Sequence, residues 1–368
     1  MKFTIPHPVL AGVIARGSAA AAKKSPLDIL THLRLTATEG ALTLASSDQD
    51  RFAEAVVPAD VAALGAACVD AATFKTLIAK YPKGGSITVE LIDSALIVSC
   101  GRSRVRLPAL DAENFPTWAD QTPDATFRIS ADDLFRSLKR VRFAASDSIA
   151  QAAMQGVRFD YHDGSLHFVA TNGHRLAVSG IAAPEGADTC PAVTVPTEAV
   201  DAVLAVFADA ALIDVTVNTR AIGFAADGLR LSSRLIDLSF PDYPNFIPAR
   251  GHPGARFKRA DLVDCLDRAN IMLGEGEFSG IVARPADGTI YLKARNHKGG
   301  EATEELAATL TGNIGPFGFN PRYAAGFLSG LNVSELVLEH EGGMKPILIY
   351  SDDAPDFVGM LGPMSVAM

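Results

Sequence analysis

The chain has 368 residues, 48% of them hydrophobic and 20% charged, with a formal net charge of −9 at pH 7. That apolar content excludes a disordered or collagen-like chain, and the length exceeds one ordinary domain of roughly 100–200 residues. The acidic balance excludes attraction of the whole surface to nucleic acid or anionic membrane, which leaves room only for a local basic surface. The most apolar stretch, 199–215, is interrupted by Asp201, Asp209 and Asp214, so no membrane span is expected. Its first eight residues carry one basic side chain and no long apolar segment, so a signal peptide is not expected and the cytoplasm is the default location. Cys68, Cys100, Cys190 and Cys265 make no C-x-x-C pair, so neither a zinc site nor a disulfide framework is signalled.

Taken in chain order, Phe3-Thr4-Ile5 leads into a helix whose stripe is Val9, Leu10, Val13 and Ile14. Glu39-Gly40 then precedes alternating apolar residues from Ala41 to Leu44, the signature of a β-hairpin, with Asp48 four residues beyond. A second helix is predicted over 72–80, and paired strands over 87–91 and 95–99. The whole series then recurs. Phe127-Arg128-Ile129 leads to Leu134, Phe135, Leu138 and Val141; Asp163-Gly164 opens a hairpin reaching Asn172; a helix over 198–207 precedes strands over 213–217 and 221–225. Phe257-Lys258-Arg259 leads to Leu262, Val263, Leu266 and Ile271; Asp287-Gly288 opens a hairpin reaching Asn296; a helix over 321–331 precedes strands over 334–339 and 346–350. The hairpin glycines stand 124 residues apart each time, as do Asp48, Asn172 and Asn296. Strands outnumber helices in every repeat, which predicts an α+β chain of antiparallel sheet with helices on one side. Polar stretches bearing Pro or Gly near 121–123 and 250–253 set three domains: 1–122, 123–250 and 251–368.

These repeats carry Met1-Lys2-Phe3-Thr4, Gly101-Arg102-Ser103-Arg104, the run Val169-Ala170-Thr171-Asn172-Gly173-His174-Arg175-Leu176, Phe240-Pro241-Asp242-Tyr243 and the terminal Pro363-Met364. In their order and spacing they resemble the bacterial β sliding clamps, processivity subunits of the replicative DNA polymerase, over essentially the whole chain. The resemblance implies three tandem DNA-clamp domains with two inner helices each, and two chains closing head to tail into a ring around duplex DNA. It implies no catalysis and no cofactor. Partners would be duplex DNA without sequence preference, a second copy of the chain, and the polymerase, clamp loader, repair and translesion proteins through short peptide motifs.

Charge segregation fits that implication. The six segments assigned to inner helices, 7–24, 71–83, 131–142, 197–209, 258–272 and 320–331, sum to +6 and leave −15 on the remainder. The same cations also suit merely solvated helix faces. A ring that slides needs diffuse attraction to phosphates and no base contacts, each of which would trap it by roughly 1–3 kcal/mol. Lys24 carries over from the family as a DNA contact, and Lys75, Lys80, Arg136, Lys139 and Arg140 are further candidates. Two features depart from the family: Ala150, Ala152 and Ala153 stand where aromatic and polar DNA contacts occur in relatives, and the 197–209 helix is acidic.

The resemblance places an apolar pocket for partner peptides between the second and third domains. Its residues would be Met154, Thr171, Gly173, His174, Arg175, Leu176, Pro241, Phe246, Met344, Met360, Leu361, Pro363 and Met364. Methionine, flexible and polarizable, suits a surface that repacks around several partners. Gly362 stands where a larger residue is common, and Ala367-Met368 extends the tail. For the joint between chains it implies a strand with Val105 and Leu107 against Met272 and Leu273 of the second copy. The alternative from another class is a hydrolase or transferase using His174 and Arg175, which lack a nucleophile or carboxylate at fixed spacing. The segment 17–23 lacks the second glycine of a P-loop, and 274–280 has one residue too many for a dinucleotide fingerprint.

Overall fold

The computed structural model describes residues 1–117, 122–273, 280–296 and 299–365. Most of the glycine- and glutamate-rich stretch after Leu273, Gln121 of the first linker and the Ala367-Met368 tail lie outside the described residues.

The thrice-repeated turn folds as its chemistry requires. Gly40, Gly164 and Gly288 have φ of +71°, +74° and +77°, a left-handed conformation that carries no steric cost for glycine. Each closes a two-residue hairpin loop, pairing Thr38 with Ala41, His162 with Ser165 and Ala286 with Thr289. Asp163 and Asp287 also have positive φ, as a type I′ turn demands. Asp48, Asn172 and Asn296 acquire a reason for their common spacing: each side chain accepts a backbone N–H two to four residues on, from Arg51, Arg175 and Gly300 at 2.7, 3.1 and 2.8 Å. They are turn-forming Asx residues.

Six α-helices occur among the described residues: α1 (His7–Gly17), α2 (Ala71–Lys80), α3 (Ala131–Val141), α4 (Thr197–Val206), α5 (Arg259–Met272) and α6 (Pro321–Gly330). The starts of α2 and α6 are chemically marked. Asp70 caps α2 by accepting from Thr73 N at 2.8 Å, and Asn320 caps α6 by accepting from Arg322 N at 2.9 Å, with Pro321 in the first turn. Two expected stripe residues do not pack. Val9 is 38% exposed on α1, whose buried face runs through Leu10, Val13 and Ile14; Ile271 is 74% exposed because the buried face of α5 runs through Cys265, Leu266 and Ala269, and Ile271 falls across the helix from it.

The chain divides into two compact units: Met1–Asp132 with Pro184–Pro191 and Glu198–Leu235, and Asp133–Ala183 with Ala192–Thr197 and Ile236–Met368. All strand pairs among the described residues are antiparallel. The first unit holds a five-stranded sheet in the order Asp60–Ala63, Lys2–Pro6, Ser86–Ile92, Ala95–Cys100, Ser103–Pro108. Its eight-stranded sheet runs Ala125–Ser130, Leu212–Val217, Ala221–Ala226, Leu229–Arg234, Arg51–Pro58, Ala41–Ser47, His32–Thr38, Gly65–Asp70. The join between Leu229–Arg234 and Arg51–Pro58 fuses half of the first sequence repeat to half of the second.

The second unit repeats the device. Its nine-stranded sheet runs Val193–Pro196, Gly156–His162, Ser165–Thr171, Arg175–Ala182, Ala354–Leu361, Ile347–Ser351, Glu335–His340, Gly254–Lys258, Thr309–Thr311, and the join is between Arg175–Ala182 and Ala354–Leu361. A four-stranded sheet, Glu301–Ala307, Thr289–Arg295, Ile281–Ala286, Phe317–Phe319, completes it. The strands Ser103–Pro108 and Glu301–Ala307, which occupy the corresponding joining positions in their own repeats, are left as sheet edges.

Helices cover the sheets through their apolar faces. α1 packs on Ala41–Ser47, Arg51–Pro58 and α2, burying Leu10, Val13 and Ile14, while α5 packs on Thr289–Arg295, Glu301–Ala307 and α6. Substituting Asp70→Ala leaves the Thr73 amide without its cap. Urea titration should then show a loss of about 1 kcal/mol of stability, with the slope of the transition unchanged.

Candidate functional site

The site grows from the turn between Ser165–Thr171 and Arg175–Ala182. Asn172 Oδ1 accepts from the His174 and Arg175 amides at 3.0 and 3.1 Å, and the Thr171 hydroxyl donates to the Arg175 carbonyl at 2.7 Å while accepting from the Gly173 amide at 3.1 Å. Gly173 supplies the required φ of +82°. A second segment is tied to this loop, since the Gln151 amide donates to the Asn172 carbonyl at 3.2 Å and its oxygen accepts from the Ser146 hydroxyl at 2.6 Å. That holds the short turn Ile149–Met154 beside it.

Beyond the turn, strand register pairs Arg175 with Leu361 and Leu176 with Met360. Leu176 and Met360 join Val169, Val178 and Tyr243 in one apolar cluster, against which Phe240, Ile247 and Val358 pack. The Tyr243 hydroxyl donates to Asp160 at 3.1 Å and accepts from His162 Nε2 at 3.0 Å. Burial, reinforced by the Asp160 carboxylate, pushes that phenol far above its ordinary pKa, so it remains a donor. The His162 ring stacks on His167 with centroids 3.9 Å apart. Burial and then the neighbouring His162 hold the His167 pKa below its ordinary value, with Asp160 and Asp163 opposing.

Among the described residues Arg175 makes no ion pair with a carboxylate. Its guanidinium lies 4.8 Å from the Tyr323 ring and 5.4 Å from that of Phe143, and His174 stacks nearly parallel to Tyr323 at 6.0 Å. Burial lowers the arginine's pKa without discharging it. Phe143 can lie flat on α6 because Gly326 and Gly330 face it; a Cβ on Gly326 would collide with the ring. The tail closes the other side. The Gly362 amide donates to the His174 carbonyl at 2.7 Å, the Met364 amide to the Gly318 carbonyl at 2.8 Å, and Pro363 bridges to Phe319. A Cβ on Gly362 would stand 2.8 Å from the His174 carbonyl, so glycine there permits the close approach of two backbones.

Thus Met154, Thr171, Gly173, His174, Arg175, Leu176, Met360, Leu361, Pro363 and Met364 are connected within the second unit by register, hydrogen bonds or the bridged tail. Pro241 is half-buried two residues before Tyr243. Phe246, at the end of the turn Tyr243–Phe246, is 55% exposed, and Met344 is 63% exposed on a separate loop. Sequence reading missed Tyr323, Phe143 and Gln151. No local motif marks them, and only the fold brings them to the turn.

The expected DNA contacts divide into two kinds. Lys24, Lys75, Lys80 and Lys139 are exposed. Arg136 pairs with Asp133 at 2.5 Å, and Arg140 pairs with Asp356 at 2.7 Å with its side chain only 12% exposed, so these two cations are already engaged. Arg16 on α1 is held by Asp209. For the expected joint, Leu107 and Leu273 are buried within their own units, and Val105 and Met272 are half-buried. No helix of the described residues is long and apolar enough to cross a membrane.

Three linked repeats of antiparallel sheet, with an apolar cluster beside a hydrogen-bonded turn and neither His174 nor Arg175 hydrogen-bonded to a nucleophile among the described residues, define a scaffold for binding. The family models for the N-terminal, central and C-terminal domains of the DNA polymerase III beta subunit match residues 1–119, 128–242 and 245–365 in that order, and the chain belongs to this family. It is similar to the beta sliding clamp of Caulobacter vibrioides, at 26% identity over 379 residues covering all of both chains, and to that of Proteus mirabilis, at 27% over 343 residues covering 92% of each. Among solved structures it resembles the Bartonella birtlesii sliding clamp bound to griselimycin, with a TM-score of 0.95, 25% identity and full coverage of both chains. The Caulobacter crescentus clamp matches with a TM-score of 0.94 at 25% identity, over 100% of this chain and 99% of that one.

A pH effect follows from His167. Its depressed pKa means that the unfolded chain binds the proton more readily, so stability is full above the ordinary histidine value of about 6.5 and declines as pH falls through it. Denaturation of the wild-type chain should show this loss between pH 7 and 5, and His167→Phe should make the decline shallower. Buried His340, shifted the same way, supplies the part that persists.

Proposed function

We propose that two copies of this chain close head to tail into a ring around duplex DNA, tether the replicative polymerase by encirclement, and recruit partner proteins through the groove beside the Thr171–Arg175 turn. The observation that carries the reading is the ordered match of all three domains along one chain. Their extents are taken as 1–122, 123–250 and 251–368. The protein acts as a processivity factor without catalysis, and the cytoplasm, where bacterial DNA lies, is its proposed location.

The free edges support the head-to-tail joint. Ser103–Pro108 points Val105 and Leu107 inward and leaves Arg104 and Arg106 exposed, while Glu301–Ala307 points Leu306 inward and leaves Glu301 and Glu305 exposed. Pairing the first edge with the second edge of another copy would repeat the two joins inside the chain, satisfy both rows of backbone groups, and oppose arginine to glutamate. Ile271, exposed beside Met272 and Leu273, is an apolar group that such a partner would cover. The exposed lysines would give the sequence-independent attraction to phosphates that sliding needs.

In the groove, Leu and Phe anchors of a partner peptide would bury against Leu176 and Met360 for roughly 1.5–3 kcal/mol each. Size-exclusion chromatography should give about twice 38.7 kDa. A clamp loaded on closed circular DNA should stay bound until the circle is cut; release from the intact circle at the same rate would sink the ring. Leu176→Ala combined with removal of residues 363–368 should abolish binding of a polymerase-derived peptide, measured by fluorescence anisotropy, and leave the dimer intact. Arg104→Glu with Arg106→Glu should shift the chain to monomer, and mixing it with a Glu301→Arg, Glu305→Arg chain should restore the association.

A further inference from the structure

The turn that builds the groove in the second unit is built again in the first. The Ser47 hydroxyl donates to the Arg51 carbonyl at 2.9 Å and accepts from the Gln49 amide at 3.1 Å, and Asp48 Oδ1 accepts from the Asp50 and Arg51 amides at 3.2 and 2.7 Å. Gln49 takes φ of +79° where Gly173 has +82°. Each bond reproduces one in the Thr171–Arg175 turn. The adjoining strands match as well: Phe52 pairs with Ser232 and Glu54 with Arg230, as Leu176 pairs with Met360 and Val178 with Val358. Phe115-Pro116 follows this sheet as Phe240-Pro241 follows the other, and each Phe belongs to the apolar cluster beside its turn.

The chemistry has changed while the frame has not. Where the second unit presents Leu176, Val178, Val358 and Met360, the first presents Phe52, Glu54, Arg230 and Ser232. With Arg34 and the Pro116-Thr117 segment these line a cavity of about 200 Å³, several times the roughly 30 Å³ share of one water. Arg34 is half-buried, and its Nε is buried with no hydrogen-bond partner. A buried cationic N–H without an acceptor is the group an entering anion would satisfy.

We propose that this cavity is a second peptide groove, taking a segment in which one acidic side chain stands beside one apolar side chain. The carboxylate meets Arg34, and the apolar neighbour packs on Phe52 and Pro116. A compact inorganic anion would leave Phe52 and Pro116 uncovered and would face Glu54. The inference rests on the second-unit groove being a peptide site, because the shared frame is what makes a peptide the occupant.

The test uses the full-length chain and blocked hexapeptides of Ala and Ser carrying Asp or Glu at the third position and Leu or Phe at the fourth, with binding read by calorimetry. The polymerase-derived peptide is titrated in parallel. Acidic hexapeptides should bind the wild type and weaken by about tenfold or more when the acid becomes its amide, or when Arg34→Met is introduced. Leu176→Ala should weaken only the polymerase-derived peptide. Glu54→Gln, which removes the competing carboxylate, should tighten the acidic peptides, and this keeps the test open if Arg34→Met fails to fold. The proposal is overturned if no acidic hexapeptide binds while the polymerase-derived peptide does, if Arg34→Met binds as well as the wild type, if Glu54→Gln fails to tighten, or if free glutamate binds as tightly as the peptides. Absence of both kinds of binding overturns this proposal together with the reading of the second-unit groove.

Discussion

A row of backbone N–H and C=O groups along the edge of a sheet must find partners, and the architecture of this chain follows from how it supplies them. Neither large sheet belongs to one sequence repeat. Leu229–Arg234 completes the edge offered by Arg51–Pro58, and Ala354–Leu361 completes the edge offered by Arg175–Ala182. Each repeat therefore lends one strand edge forward and receives one, and a chain of three repeats necessarily ends with one edge of each kind unused. Those edges are Ser103–Pro108 and Glu301–Ala307. A long, flat, uncovered edge invites aggregation, and the arginines on one and glutamates on the other are the kind of charge that blunts indiscriminate pairing while favouring the complementary one.

Much of this is legible in the sequence alone. The period of 124 residues exposes the repeats because the turn at each hairpin demands Gly, and the turn after it demands Asp or Asn, and neither requirement relaxes with divergence of the apolar residues between them. The helices were legible for the same reason, with α2, α4 and α6 beginning and ending within one residue of their sequence-based bounds. Side-chain partners were not. Nothing local distinguishes Lys139, which is exposed, from Arg140, which is held by Asp356 from a strand 216 residues away. Tyr323 and Phe143 were invisible for the same reason, since their contacts with Arg175 are set by glycines on α6 that only the fold brings to face them. Ile271 misled because Leu262, Val263, Leu266 and Ile271 satisfy a helical period loosely while the true face, through Cys265 and Ala269, includes smaller residues that carry less apolar signal.

The two copies of the turn show how one substitution re-aims a functional group. In the first unit Asp48 is a carboxylate, and it takes Arg51 in a two-pronged ion pair with Nε and Nη2 at 2.9 and 2.6 Å. In the second unit the same position is Asn172, which makes the same backbone bonds but offers no charge. Arg175 is then released from its own turn and settles between the faces of Phe143 and Tyr323, where a cation is held by ring quadrupoles instead of a carboxylate. An arginine so held stands beside the apolar cluster, with its Nε buried and unpartnered among the described residues. Function here is a property of the site grafted on the repeat, not of the repeat itself.

The same division between pinned and free cations bears on sliding. Arg16, Arg136 and Arg140 are each held by an aspartate, whereas Lys24, Lys75, Lys80 and Lys139 are exposed. The guanidinium is a planar fork that matches phosphate or guanine edges two bonds at a time, and several such forks in a tunnel would hold a duplex in register. A lysine ammonium is a mobile point charge that trades one phosphate for the next at little cost. Among the cations proposed to meet DNA, the two arginines are tied down and the four lysines are exposed, so under that proposal the attraction would fall steeply with salt and carry no sequence preference.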